Sequence, residues 1–186
     1  MLTQYLDELN RLFQGMEISN ANGASLATDD GARAAVALIE ESKRMNCKAM
    51  VVGNGGSAAI ASHTQNDFCK AVGMRSLVFT EQPLLTALSN DESYQSAYES
   101  LVRLWAVEGD LLVAISSSGR SENILRAVKA AKAAGCKVIT MSGFGADNPL
   151  RRTGDVNFYI PSGDYGPVEI AHAALAQFLT DAVKIQ

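Results

Sequence analysis

Four apolar residues, Ala49-Met50-Val51-Val52, run straight into Gly53-Asn54-Gly55-Gly56-Ser57, and a helical pattern follows at once. A short apolar run that stops at a glycine loop and feeds a helix reads as a buried parallel strand in a βα unit. It is also the construction of an anion site. Glycines let the backbone approach a ligand, and the free N–H groups of the helix's first turn point at it with the positive end of the dipole. Ser57 is placed to cap that helix and to offer its hydroxyl to the same anion. The spacing is neither G-x-G-x-x-G with an acidic residue about 20 positions on, nor G-x-x-x-x-G-K-S/T, so dinucleotide and P-loop sites are disfavoured. A tight turn without a ligand is the simpler alternative for this stretch taken alone.

Further apolar runs at Leu77–Thr80, Leu111–Ser116, Lys137–Ser142 and Val156–Pro161 alternate with helical patterns. With 49–53 they predict a five-stranded parallel sheet covered on both faces, an α/β fold in three layers. Helices are expected at 84–89, 92–106 and 122–134, and from Tyr165 onward. Ahead of the first strand, 2–16 and about 25–45 read as two amphipathic helices parted by Asn20-Ala21-Asn22-Gly23. A five-stranded sheet does not need them as cover, so their apolar stripes point either to oligomerisation or to capping of one sheet edge. No linker or repeat divides the 186 residues. The expectation is one domain over 1–186, with a helical pair at 1–46 and an α/β core at 47–186.

Charge limits the partners. The net charge is −4 and charged residues make up 19% of the chain, so no basic face invites nucleic acid or an anionic membrane. Any phosphate must be held mainly by backbone and hydroxyls. Cys47, Cys69 and Cys136 lack metal-ligand spacing and form an odd set, which reads as reduced thiols of a cytoplasmic protein. A signal peptide and a membrane-spanning run are not expected.

Ligands of open α/β sheets gather at the carboxyl ends of the strands. Besides the glycine loop, Ser116-Ser117-Ser118-Gly119-Arg120-Ser121 ends a strand and opens a helix, a second oxyanion cradle to which Arg120 adds a charge. A nucleophilic serine is disfavoured, because no G-x-S-x-G elbow is present. Asn90 and Asp91 follow helix 84–89 and suit either sugar hydroxyls or the cap of the next helix. His63 and Asp67 share a helix face, as an acid/base couple, a divalent-metal pair or a surface contact. In the last helix Glu169 and His172 are neighbours, and Gln177 lies two turns beyond Glu169. Polar groups in such an apolar helix need partners, either a ligand or a second subunit.

Taken in order, Gly53–Ser57, Leu85–Asp91, Ala114–Ser121 and the Glu169…His172 helix resemble the sugar isomerase (SIS) domain family, specifically its phosphoheptose (sedoheptulose 7-phosphate) isomerase branch. The likeness runs along essentially the whole chain. It implies a flavodoxin-like sandwich, a homotetramer with sites at subunit interfaces, and aldose–ketose isomerisation of a sugar phosphate without a nucleotide cofactor. By position it implies substrate contacts at Asn54, Gly55, Gly56, Ser57, Asn90, Asp91 and Glu169, with phosphate at Ser116, Ser117, Ser118 and Ser121. Four family positions carrying the chemistry and a zinc site, with the pattern His, Glu, Gln, His, correspond to His63, Asp67, Glu169 and Gln177. Only the first is identical. Because Gln177 does not titrate, the acid/base work is expected to pass to Glu169 and Asp67, with His63 or His172 as proton donor. His63, Asp67 and Glu169 are the chemically sound ligands for zinc or another divalent ion, with the Gln177 amide a poor fourth. The alternative is a non-catalytic sugar-phosphate-binding regulator or adaptor of the same fold.

Overall fold

The computed structural model describes residues 1–184; the last two positions of the expected 1–186 domain lie outside the described residues. The chain runs α1 (Leu2–Gln14), β1 (Glu17–Asn20), β2 (Ser25–Leu26), α2 (Thr28–Arg44), β3 (Ala49–Val52), α3 (Gly56–Asp67), β4 (Ser76–Val78), α4 (Gln82–Asp91), α5 (Tyr94–Trp105), β5 (Leu111–Ser116), α6 (Glu122–Ala133), β6 (Lys137–Ser142), β7 (Val156–Tyr159) and α7 (Tyr165–Lys184).

Among the described residues the strands form one seven-stranded sheet, ordered β2-β1-β7-β6-β5-β3-β4. The expected five strands are its parallel part, β4-β3-β5-β6-β7, the doubly wound flavodoxin-like order. Successive strand residues face opposite layers. Val51, Val113, Ile139 and Phe158 pack with Ile39 of α2, Ala61 of α3 and Val168 and Leu179 of α7. Met50, Leu112 and Val138 face Leu101 of α5 and Ile124 and Val128 of α6. Two cores therefore clamp the sheet, and the chain reverses its winding between β3 and β5.

The remaining two strands correct the five-strand expectation. The break at Asn20–Gly23 is the turn of a β1–β2 hairpin, and β1 pairs antiparallel with β7. The Asn20 side chain accepts from the backbone N–H of Asn22 at 3.0 Å and of Ala24 at 3.1 Å, and Gly23 takes a φ of +76°. Asx chemistry and a left-handed glycine thus make a turn inside what reads as a helix–helix connection. Ile18 alone is buried in the first strand, too little alternation to mark it. Its side chain seats on Gly31 of α2, where a Cβ would come within 2.4 Å of Ile18 Cγ2. α2 consequently lies on the sheet with Ala35 and Ile39 fully buried, while α1 buries only Leu9 and exposes Leu2 and Leu6.

Candidate active site

The glycine loop after β3 and the serine loop after β5 flank the point where the strand order reverses, the place where such sheets bind ligands. Between them lies a cleft of about 240 Å³ lined by Asn54, Gly55, Gly56, Ser57, Ser116, Ser117, Ser118, Ser121, Tyr165 and Glu169. Helices α3 and α6 both begin here, so two sets of unpaired backbone N–H groups converge on one space. No Lys or Arg is among the lining residues, so an anion in the cleft is held by dipoles and hydroxyls.

The serine cradle has its own wiring. Ser116 Oγ donates to Ser121 Oγ at 3.2 Å, and the Arg120 N–H donates to Ser118 Oγ at 3.3 Å. Ser117 is nearly buried, yet its hydroxyl has no partner among the described residues. Buried hydroxyls are rarely left so. Its backbone carbonyl is committed, accepting from Gly143 N–H at 2.9 Å. The Arg120 guanidinium turns to the rim, where it pairs with Asp147 at 2.6 Å, and holds that exposed carboxyl below the usual range; it does not reach the cleft.

The glycine loop is fixed from behind. Asn54 Oδ1 accepts from Tyr94 Oη at 2.7 Å and from Asn123 Nδ2 at 2.8 Å, and Asn54 Nδ2 donates to Asn123 Oδ1 at 3.0 Å. Tyr98 Oη donates to the Gly53 carbonyl at 2.9 Å; burial, with Tyr94 alongside, pushes this phenol up to about 12. The Asn54 side chain is therefore a strut to the first turn of α6. Ser57 is the second residue of α3 and the cap position falls to Gly55, so the expected Ser57 cap is not made.

Glu169 enters from the first turns of α7. Its carboxylate lies so close to Gly56 that a Cβ there would fall 2.3 Å from Oε2. Glycine is needed at 56 because α7 delivers a carboxylate against the α3 N-terminus, where the helix dipole favours negative charge.

The other expected acid/base groups lie elsewhere in the chain. α3 and α7 pack side by side and leave the cleft in the same direction. Residues seven or eight positions on are therefore about 10–12 Å away along each axis. There His63 Nε2 stands 3.3 Å from Asp67 Oδ2 and 3.4 Å from Gln177 Oε1, with His63 exposed. His172 is completely buried, with Nε2 3.2 Å from the Ser142 carbonyl and Nδ1 unpartnered among the described residues. Burial lowers it to about 4, only partly opposed by that carbonyl. Asn90 and Asp91 close α4, where Asn90 Nδ2 donates to Asp91 Oδ1 at 2.9 Å; neither lines the cleft. The cap of α5 is Ser93, which accepts from Ser96 N–H at 3.2 Å.

The zinc set does not fit as expected. Among the described residues no three His, Cys, Asp or Glu side chains gather closely enough to hold a metal ion. Glu169, beside Gly56, stands about two turns of α3 from His63 and about three from Asp67, and the amide beside that pair is a poor zinc ligand. Two groups escaped the sequence reading, one lining the cleft and one bracing its glycine loop. Tyr165, four residues before Glu169 and on its face, carried a usable signal in that spacing. Asn123 carried none.

Comparison with known proteins agrees with this geometry. The SIS domain family matches residues 4–143. The phosphoheptose isomerase of Trichlorobacter lovleyi is 31% identical over 189 residues, covering 98% of this chain and 92% of that one. That of Clostridium acetobutylicum is 33% identical, covering 80% and 79%. The solved phosphoheptose isomerase of Neisseria gonorrhoeae superposes with a TM-score of 0.84 at 27% identity, over 100% of this chain and 97% of that one. The chain therefore belongs to the SIS domain family, in its phosphoheptose isomerase branch.

Proposed function

We propose that the protein is an aldose–ketose isomerase that interconverts sedoheptulose 7-phosphate and a heptose 7-phosphate, supplying heptose for surface polysaccharide. One observation carries this reading. Ser117, whose buried hydroxyl is left without a partner among the described residues, and Glu169 line the same cleft, so a free hydrogen-bond donor for an oxyanion lies beside a base. The phosphate takes Ser117, Ser118 and the α6 N-terminus, away from the negative Glu169. The sugar then extends along Asn54, Gly55 and Gly56 toward the carboxylate. Glu169 moves the proton between C1 and C2 through an enediol, the transfer a positioned carboxylate accelerates by about 10²–10⁴-fold. No step is assigned to a metal, because the donor set within the chain does not suit one.

The protein acts as a single SIS domain, with its helical and strand N-terminal segment included, and as a cytoplasmic homotetramer. Exposed Leu2, Tyr5 and Leu6 on α1 and Ile170 and Phe178 on α7 support burial by further copies, and three free cysteines suit a reducing compartment. A copy docked there also offers a route by which His63 and Asp67 meet a neighbour's substrate. The test is incubation with sedoheptulose 7-phosphate, followed by NMR, with light scattering for the oligomer. Appearance of the aldose is expected. Tight binding without turnover refutes catalysis and makes the cleft that of a regulator.

A further inference from the structure

We propose that Tyr165 is a second catalytic residue of this cleft, donating its phenolic proton to the substrate oxygen while Glu169 takes the proton from the neighbouring carbon. The proposal rests on the isomerase reading above.

The chemistry sets the requirement. Removing a proton from carbon beside a carbonyl needs a donor at the oxygen as the charge arrives there. Serine hydroxyls, the Asn54 amide and glycine backbone do not exchange protons near neutrality. Within one chain, Glu169 and Tyr165 are then the proton-transfer groups among the residues lining the cleft. His172 is enclosed in the core against Ser142, and His63 stands two turns along α3.

Tyr165 is placed for the role. It opens α7 four residues before Glu169, on the same face. It is 61% exposed on the chain, and its hydroxyl makes no hydrogen bond among the described residues. The ring is braced edge-on by Phe144, with centroids 4.8 Å apart and planes at 70°. Phe144 itself is held at a φ of +59°, a left-handed conformation unfavourable for an aromatic residue. Two bonds keep it there: its N–H donates to the Ser162 carbonyl at 2.8 Å, and its carbonyl accepts from Tyr159 Oη at 2.7 Å. A strained residue pinned from both sides thus supports the Tyr165 phenol in the cleft lining.

The step balances. Glu169 takes the proton from C2 of the aldose, and the C–H electron pair becomes the C1=C2 bond. The carbonyl pair moves to O1, which takes the phenolic proton and gives the enediol. The Tyr165 phenolate then takes the proton from O2 as C2=O forms, and the C1=C2 pair takes back the Glu169 proton at C1. Both side chains return to their starting states and no other reactant is consumed.

Tyr165→Phe keeps the ring and its contact with Phe144 and removes only the hydroxyl. In the full-length protein, kcat with sedoheptulose 7-phosphate is expected to fall about 10²–10⁴-fold, with KM within about threefold of the parent. Binding of inorganic phosphate by calorimetry should not change. Tyr165→Leu should lose kcat similarly and also raise KM. Full kcat in Tyr165→Phe overturns the proposal. If Glu169→Gln is inactive at the same time, the base assignment stands, and a further loss in His63→Asn assigns the donor to the α3 histidine. If Glu169→Gln is fully active, or the parent has no turnover, the underlying reading fails and the Tyr165 role falls with it.

Discussion

His172 makes the stability of this fold depend on pH in a calculable way. The imidazole lies fully buried between α7 and the end of β6 and donates from Nε2 to one carbonyl, so the native state holds it neutral. Its affinity for a proton falls from the ordinary 6.5 to about 4 on folding. Between those values the unfolded chain binds a proton that the folded chain refuses, so stability is lost as pH falls. The full gap is worth about 3 kcal/mol, and about 2 kcal/mol of it is lost between pH 7.5 and pH 5. That is a large part of a typical 5–15 kcal/mol stability. Urea unfolding at the two pH values, for the parent and for His172→Gln, isolates the term because all other titrating groups are common to both. The parent should lose about 2 kcal/mol more than the variant over this interval. Equal losses refute the argument, as does an imidazole NMR titration in the native protein with a midpoint at or above 6.5. Turnover should survive in His172→Gln, since this ring does not reach the cleft.

Other perturbations separate binding from folding. Ser117→Ala removes a buried, unpaired hydroxyl, so thermal stability should hold or rise while phosphate affinity weakens by about 1–2 kcal/mol, read by calorimetry. Gly56→Ala places a methyl on the Glu169 carboxylate, so kcat should drop at least about tenfold with helix content intact. Gly119→Ala forces a side chain into a φ of +62° and to within 2.0 Å of Asn148 Oδ1, and should destabilise by about 2 kcal/mol or more in urea unfolding. Gln177→His should leave Glu169-dependent turnover of an isolated cleft unchanged, because it lies two helical turns away; activation would show that a neighbouring copy brings residue 177 to the substrate.

The parallel strands and both anion loops were legible because apolar runs ending in Gly or Ser state their structure locally. Glu169 was different: its own surroundings left a ligand or a second subunit open as its partner, and only the family resemblance put it at the cleft, which it lines. The hairpin was not legible, since one buried residue, Ile18, cannot establish a period of two. The zinc grouping failed for a different reason. Sequence spacing places residues along one helix, but only packing shows that α3 and α7 depart the cleft together, which sets His63 beside Gln177 and Glu169 beside Gly56. Asn123 is a further case: its value lies wholly in facing Asn54 across the reversal of strand order.

The β1–β2 hairpin also governs how the protein behaves in crowded solution. Without it β7 would be the outermost strand, and Val156–Tyr159 is buried at every position. Such an edge, buried on both faces and with open backbone groups, is a template for another chain. The hairpin covers it and substitutes a two-residue strand that follows a polar turn, while the opposite edge, β4, is only three residues long. Neither border is long enough to recruit a foreign strand. Deleting 17–26 should therefore be felt first as insoluble protein during expression, before any loss of chemistry in the cleft, which lies between β3 and β5, beyond β7 and β6 in the sheet.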